Sequence, residues 1–297
     1  MAILYRPARL DELQATQEHI VASINDLTVR HGFGPMASVR PADFQRFVWH
    51  DDPSGLWSAE EDGRLVGSAF SWVCGDLWFL AELFIAPDMQ GRGIGAELLR
   101  RTLDQAARAG ATERALITFT FNRVSQALYI RHGLFPGTPI YVFGGSREAV
   151  TAGLPPARLA ATPITADDAA QLERIDRAVL SVSRAKHHVF LAGDATMRGY
   201  LLRGAGGPVG YAYVNANGHI GPLAVAGDDA GDAFLAVLHL AADAGSAQIS
   251  CLIPGANEAA LTVAVAHGLR IGFPLVLMSS RSFGDWSHYL PRNPGFM

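Results

Sequence analysis

Hydrophobic and polar positions along the chain follow two different periods. An apolar, aromatic-rich run over residues 77–86 predicts a strand, and Pro87 ends it because proline cannot donate to a strand ladder. Residues 95–109 carry apolar side chains on one helical face and charged ones on the other, which predicts an amphipathic helix. A strand over 115–121 and a short helix over 124–132 follow. This order predicts a parallel strand pair joined by a right-handed crossover.

The remaining patterns complete the predicted first half and begin a second one. Residues 3–6 predict a strand, and residues 11–49 predict two helices after it. The segments 64–70 and 207–213 resemble each other, and each predicts a strand that enters a hairpin.

A spacing also repeats once in each half of the chain. Asn122 is followed ten residues later by a His-Gly-Leu triplet that begins at His132, and Asn257 is followed at the same distance by a second triplet that begins at His267. Such self-similarity is typical of an internal duplication.

The stretch from about residue 147 to 163 separates the two copies. It holds three prolines and a glycine among alanines, without apolar periodicity, which is typical of a linker. We therefore predict two similar domains, 1–148 and 160–297. A length of 297 residues suits two domains better than one.

Composition narrows the class of protein. Hydrophobic residues make up 49% and charged residues 18%, a balance that builds cores and argues against disorder. The net charge is −4 without a basic run, so nucleic acid is not an expected partner. No apolar run approaches the ~20 residues that span a bilayer. Two cysteines give no disulfide framework, and the first residues lack a signal-peptide layout, so we expect a cytoplasmic protein without membrane contact.

A glycine-rich turn lies between the strand over 77–86 and the helix that follows. Turns of this kind leave backbone N–H groups unpaired at the helix N-terminus, where they and the helix dipole favour a phosphate group. The turn residues are Gln90, Gly91, Arg92, Gly93, Ile94, Gly95 and Ala96. Arg92 adds positive charge. A plain tight turn is the alternative, and a dinucleotide-binding fold fits poorly because several elements precede the turn.

The strand, the turn and the downstream helix together resemble the acetyl-CoA signature of the GNAT superfamily of N-acetyltransferases. The matching residues are the strand end at Leu83, Phe84, Ile85, Ala86 and Pro87, then the turn from Gln90 to Gly95, then Asn122 and the segment from Ala127 to Leu134. Leu134 stands where the family usually has phenylalanine. The tandem arrangement is similar to double-GNAT proteins.

The resemblance implies an α/β fold of two tandem domains. Each domain would contain a mixed, mostly antiparallel twisted sheet with flanking helices and a splayed parallel strand pair. It also implies that pyrophosphate lies on the amides of the glycine turn and that pantetheine pairs with Leu83, Phe84 and Ile85, the Ile85 amide holding the thioester carbonyl. Asn122 and Ser125 would contact the pantetheine arm, although Asn122 also suits a helix N-cap.

Two residues are candidates for proton transfer. One would accept the proton of the attacking amine, and the other would donate a proton to the leaving thiolate. Tyr129 would be the acid, because a tyrosine is protonated at neutral pH and the family's acid lies on this helix. Glu82 would be the base, directly or through a water, because a carboxylate on an apolar strand is costly to bury away from a site. The alternatives are a tyrosine that packs its helix on the sheet and a glutamate paired with an arginine.

The second half lacks the same chemistry. Acidic residues occupy the position of the glycine turn, at Asp228, Asp229 and Asp232, and Ala264 corresponds to Tyr129. We therefore expect a degenerate domain. His187 and His188 lack metal-ligand spacing and predict a surface pair, and no metal is expected. The segment from Asp176 to His188 resembles a pattern in second domains of tandem GNAT proteins.

These residues predict a direct transfer of acetyl from acetyl-CoA to a primary amine, most naturally that of a small molecule. A protein N-terminus or lysine is the rival acceptor, and a non-catalytic acetyl-CoA sensor is the rival class. The duplication leaves a monomer with pseudo-dimeric halves and a homodimer both open.

Overall fold

A computed structural model describes residues 2–297. The residues divide into two compact units. The first contains the chain as far as Leu116 together with Arg123–His132, and the second contains Ile117–Asn122 and Gly133–Met297. Within residues 2–297, no helix is both long and apolar enough to cross a membrane.

The first unit holds a mostly antiparallel sheet in which each strand neighbours the next along the chain. Only the last pair, β4 with β5, is parallel. The strands are β1 (Leu4–Pro7), β2 (Leu56–Glu61), β3 (Arg64–Cys74), β4 (Leu77–Ile85) and β5 (Glu113–Phe119), whose last three residues belong to the second unit. The helices are α1 (Leu13–Arg30), α2 (Asp43–Asp51), α3 (Ile94–Arg108) and α4 (Arg123–Arg131). The predicted strands and helices of this half are confirmed to within two residues at most ends.

Local chemistry explains several of these elements. Asp62 and Gly63 join β2 to β3 with φ angles of 52° and 78°, as a two-residue hairpin turn requires. Gly67 lets α3 approach β3, because a Cβ there would lie 3.2 Å from the side chains of both Ile94 and Leu98. Around this contact, Val66, Ile94 and Leu98 are fully buried. The close packing fixes the start of α3 against the sheet.

The second unit holds a larger sheet in the order β12–β6–β11–β10–β9–β8–β7, with β13 paired to β10. Its strands are β6 (Phe135–Ser146), β7 (Ala160–Pro163), β8 (Met197–Gly204), β9 (Gly207–Asn215), β10 (His219–Val225), β11 (Gln248–Pro254), β12 (Arg270–Ser279) and β13 (Tyr289–Leu290). Its helices are α5 (Arg147–Thr151), α6 (Ala169–Leu180), α7 (Ala185–Gly193), α8 (Ala230–Asp243) and α9 (Glu258–Ala266). The parallel pair here is β10 with β11. The predicted mixed α/β fold with a parallel pair in each half is confirmed.

Strand β6 has an unexpected place. It lies between β11 and β12 and runs antiparallel to both, pairing along almost its whole length. Residues 133–146 therefore belong to the second unit, whereas the sequence assigned them to the first domain. The stretch predicted as a linker also contains structure, since α5 and β7 occupy its two ends. The boundaries 1–148 and 160–297 stay a prediction of separately folding domains.

Candidate active site

The glycine turn leads directly from β4 into α3. Gly91 and Gly93 have φ angles of 81° and 80°, in the left-handed region that side chains disfavour. Gly93 is the N-cap of α3, and the next residue, Ile94, is buried beneath the turn. Residues 90–93 are exposed. The turn thus presents backbone to solvent at a helix N-terminus, where the first amides of a helix lack intrahelical partners, although that of Ala96 donates to the Gly93 carbonyl at 3.1 Å.

The two polar side chains of the turn are already engaged. Arg92 donates to Glu61 at 2.7 Å, which offsets part of the positive charge that the sequence suggested for phosphate binding. Gln90 donates through Nε2 to the carbonyl oxygen of Ile85 at 3.3 Å. Both contacts fold the turn back toward the strands that precede it.

Strand β4 opens away from β5 beside this turn. Its parallel register with β5 ends at Leu80 and Leu116, although β4 continues to Ile85. Over its last residues β4 stays paired with β3 on the other side. The extra residue of a bulge, Ala81, marks the point where the two strands part.

The register shows which backbone groups face the opening. The amide of Ala86 donates to the carbonyl of Val66 in β3 at 2.9 Å. Because antiparallel residues alternate in the direction of their polar groups, Phe84 also faces β3, and Leu83 and Ile85 direct their N–H and C=O groups away from it. The open edge of β4 therefore carries the amides of Leu83 and Ile85, two of the three residues predicted to pair with pantetheine, whereas the backbone of Phe84 faces β3.

Side chains alternate across β4 as the sequence predicted. Leu83 and Ile85 pack with the core beneath α3. Glu82 lies on the opposite face, where Gln45 of α2 donates to its Oε1 at 2.9 Å. The predicted alternative, an arginine partner, is wrong because this carboxylate is held by a neutral amide.

The Glu82 carboxylate is enclosed. The residue as a whole is half-buried, but Oε2 is sealed from solvent and has no hydrogen-bond partner within residues 2–297. Burial disfavours the charged form and raises the pKa of Glu82 to about 7, while the Gln45 hydrogen bond acts in the opposite direction. A carboxylate poised near neutrality suits a general base.

Tyr129 lies on α4 and is 4% exposed. Burial raises its pKa above the ordinary value, and a hydrogen bond with the Ser125 side chain opposes this. The side chain is therefore protonated at neutral pH and able to donate. Asn122 immediately precedes α4, and its amide donates to the carbonyl of Phe119 at 3.1 Å. The polar partner of Glu82 is thus Gln45, and that of Tyr129 is Ser125.

The corresponding region of the second unit is built differently. Its turn between β10 and α8 contains Asp228 and Asp229 in place of the glycine pattern, and Ala264 is buried in α9. Asn257 caps α9 by accepting from the amide of Ala260 at 2.9 Å. Asn257 therefore serves as a helix cap in the unit that lacks the glycine turn and the tyrosine.

Sequence reasoning missed a buried ionic cluster in the second unit. Arg184 and Asp176 are fully buried and form an ion pair at 3.0 Å. His188 contacts Asp176 at 3.0 Å and the Tyr213 hydroxyl at 2.9 Å. The expected surface position of His187 and His188 is wrong, because both are buried. The Asp176-to-His188 spacing was the available signal.

Sequence reasoning also missed Gln45. This residue is 8% exposed and donates to both Glu82 and Gln17 of α1, the latter at 2.8 Å. A single glutamine on the buried face of a short helix was the only hint in the sequence.

Within residues 2–297, no group of three or more histidine, cysteine, aspartate or glutamate side chains is arranged to hold a metal ion.

The profile of a family described as "Acetyltransferase (GNAT) family" matches residues 22–134, which include β4, the glycine turn and Tyr129. These residues form a GNAT acetyltransferase domain. The members of this family are acyltransferases that transfer groups other than aminoacyl groups. A search of curated proteins found no match to the chain.

Solved structures extend the likeness to the whole chain. A Pyrococcus horikoshii protein classed provisionally as an acetyltransferase superposes with a TM-score of 0.73 at 17% identity, covering 97% of this chain and 92% of that one. A GCN5-related N-acetyltransferase from Sphaerobacter thermophilus gives 0.66 at 17%, with coverage of 96% and 98%. A tandem GNAT protein from the clavulanic acid biosynthesis pathway gives 0.64 at 15%, with coverage of 95% and 99%. At these identities the likeness concerns the fold, and it includes the tandem arrangement.

Proposed function

We propose that this protein transfers acetyl from acetyl-CoA to a primary amine, by direct attack without a covalent enzyme intermediate. The observation that carries the proposal is the open edge of β4, which leads straight into the exposed glycine turn at the start of α3. One continuous segment thus offers a strand edge for an extended amide-containing arm and a helix N-terminus for a phosphate.

The residues present fit acetyl-CoA. The amides of Leu83 and Ile85 would pair with pantetheine, and those from Gly91 to Ala96 would hold the pyrophosphate. Neither Gly91 nor Gly93 has another atom within 4 Å of the position that a Cβ would take. Glycine therefore suits these two positions because of their backbone conformation and because it leaves the turn accessible to a ligand. Asn122 and Ser125 are proposed to contact the pantetheine arm.

Proton transfer is assigned to two side chains. Acetyl-CoA supplies the thioester that the amine nitrogen attacks, so that a C–N bond forms as the C–S bond breaks. Glu82 accepts the amine proton, directly or through a water, and its pKa of about 7 leaves a useful ionised fraction at neutral pH. Tyr129 donates its hydroxyl proton to the leaving thiolate.

A small molecule is the proposed acceptor. The face of β4 that carries Glu82 is covered by α1 and α2, through Gln17 and Gln45, which leaves little access for a folded protein surface. A protein N-terminus or a lysine is the alternative acceptor. The second unit, which lacks the glycine turn and the tyrosine, is proposed to be a degenerate domain. Both cysteines are free thiols, in keeping with a cytoplasmic protein, either monomeric or homodimeric.

Thiol release from acetyl-CoA with a panel of amines tests the proposal. Wild type should release CoA only when a suitable amine is present, and Tyr129→Phe should lower kcat because the acid is removed. Small amines should outperform peptides with free N-termini or lysines. If the protein binds acetyl-CoA tightly but no amine in the panel causes thiol release, a non-catalytic sensor is favoured instead.

A further inference from the structure

Glu82 is held by one neighbour in particular. Its Oε1 accepts from Nε2 of Gln45, and its Oε2 has no partner within residues 2–297. The two oxygens of one carboxylate therefore have different environments. A carboxylate held at one oxygen is fixed in orientation, and its second oxygen keeps the lone pairs that can accept a proton.

Gln45 cannot easily present its carbonyl oxygen to Glu82. Nε2 donates at the same time to Oε1 of Gln17 at 2.8 Å and to Oε1 of Glu82 at 2.9 Å, which uses both amide hydrogens. Rotating the amide would bring its oxygen against the ionised carboxylate of Glu82, which has no donor. The ionised form of Glu82 thus selects the orientation in which Gln45 donates, and Gln17 accepts the second amide hydrogen.

The position of α2 is fixed next to this contact. Phe44, adjacent to Gln45, packs edge-on against Phe70 of β3, with ring centroids 5.5 Å apart. Phe70 is the cross-strand neighbour of Glu82. Packing and hydrogen bonding therefore locate Gln45 independently over the same point of the sheet.

Charged groups around Glu82 are few. From α1, the titratable His19 hydrogen-bonds to the Phe84 backbone, and burial lowers its pKa, so it is neutral at pH 7. On α2, Asp43 and His50 are exposed and Arg46 is half-buried. On β3, Arg64 is exposed and pairs with Asp88. Burial and the Gln45 hydrogen bond are the two influences on Glu82.

We propose that Gln45 is a positioning residue for the base, holding one oxygen of Glu82 so that the other accepts the amine proton. This inference rests on the role proposed above for Glu82. Gln17 supports Gln45 from α1. The chain therefore uses two neutral amides, on the two helices that cover β4, to orient a carboxylate that it buries without a cation.

Two variants of nearly unchanged volume test this inference: Gln45→Met and Gln45→Leu. Either change removes a donor that favours the ionised form, so the pKa of Glu82 should rise by about one pH unit. The pKa is measured by NMR on protein labelled at the glutamate Cδ, with Glu82→Gln identifying the signal. The acidic limb of kcat/KM should move by the same amount, lowering kcat/KM about fivefold at pH 7. Phe44→Leu is the control, since it loosens α2 without removing the donor and should leave the pKa in place.

The outcomes separate the two proposals. An unchanged pKa of Glu82 in a folded Gln45 variant, or an equal rise in Phe44→Leu, overturns the positioning role while the acetyltransferase proposal stands. A raised pKa without movement of the pH profile overturns Glu82 as the base, and with it the role of Gln45 in catalysis. A parallel rise of pKa and profile, absent from Phe44→Leu, supports the inference.

Discussion

Replacing Glu82 by glutamine should make the protein more stable at alkaline pH while removing its activity. Glutamine has the shape of the protonated acid and still accepts from Gln45 through its oxygen. It cannot ionise inside the sheet, so the cost of burying a charge disappears. It also cannot take a proton from an amine, so kcat should fall by about 10²- to 10⁴-fold.

The size of the stability gain follows from the pKa. Glu82 ionises near 4.5 in the unfolded chain and near 7 in the folded one. Because the folded pKa is raised, the stabilisation from the protonated form is fully present below pH 4.5 and is lost as pH rises through 7. At about 1.4 kcal/mol per pKa unit, wild type loses about 3 kcal/mol between these limits, and Glu82→Gln does not.

Denaturant unfolding at pH 5 and pH 8 measures this difference. Tryptophan fluorescence mainly reports the first unit, since Trp49, Trp57, Trp72 and Trp78 lie there and only Trp286 lies in the second. The variant's advantage over wild type should grow by about 2 to 3 kcal/mol from pH 5 to pH 8.

A control carboxylate should behave oppositely. Arg100 lowers the pKa of Glu97, so Glu97→Gln removes a favourable interaction and gains no advantage at pH 8. The argument would be refuted if the difference in stability between Glu82→Gln and wild type were the same at pH 5 and at pH 8. That result would mean that Glu82 ionises in the folded protein as it does in the unfolded chain.

Three other perturbations address the turn, the buried cluster and a helix cap. Gly93→Asp should abolish acetyl-CoA binding in calorimetry, since it strains a residue at φ 80° and adds negative charge, whereas Gly110→Asp, also at positive φ, should bind normally. Arg184→Met should destabilise the second unit by about 3 to 5 kcal/mol in denaturant unfolding, because Asp176 is left buried without its cation; no loss would show that the pair is dispensable. Asn257→Ala should cost about 1 kcal/mol by the same measurement, and Asn257→Ser should recover most of it.

The sequence predicted the elements whose signals are local. The strand before Pro87 and the helix after the glycine turn emerged from periodicity and from residues with restricted backbone conformations, and both are confirmed. The face of β4 on which Glu82 lies followed from alternation alone.

The features that sequence reasoning missed depend on contacts between distant residues. Gln45 is 37 positions from Glu82, and nothing in either segment indicates that they meet. His188 was expected at the surface because the histidine pair lacks metal-ligand spacing, but Asp176 and Tyr213 contact its ring nitrogens in the interior. The place of β6 between β11 and β12 was not predictable, since periodicity identifies a strand without identifying its neighbours.

The position of β6 also affects the order in which this protein can fold during synthesis. Its last residue, Ser146, leaves the ribosome long before Gln248, the first residue of β11, and Ser279, the last residue of β12. At typical translation rates this delay is on the order of ten seconds. Throughout that time the segment that forms β6 lacks both of its native neighbours, and an extended segment with unpaired edges can pair with other chains. We therefore predict that aggregation of this protein begins in nascent chains, and that a chaperone which binds extended segments reduces it.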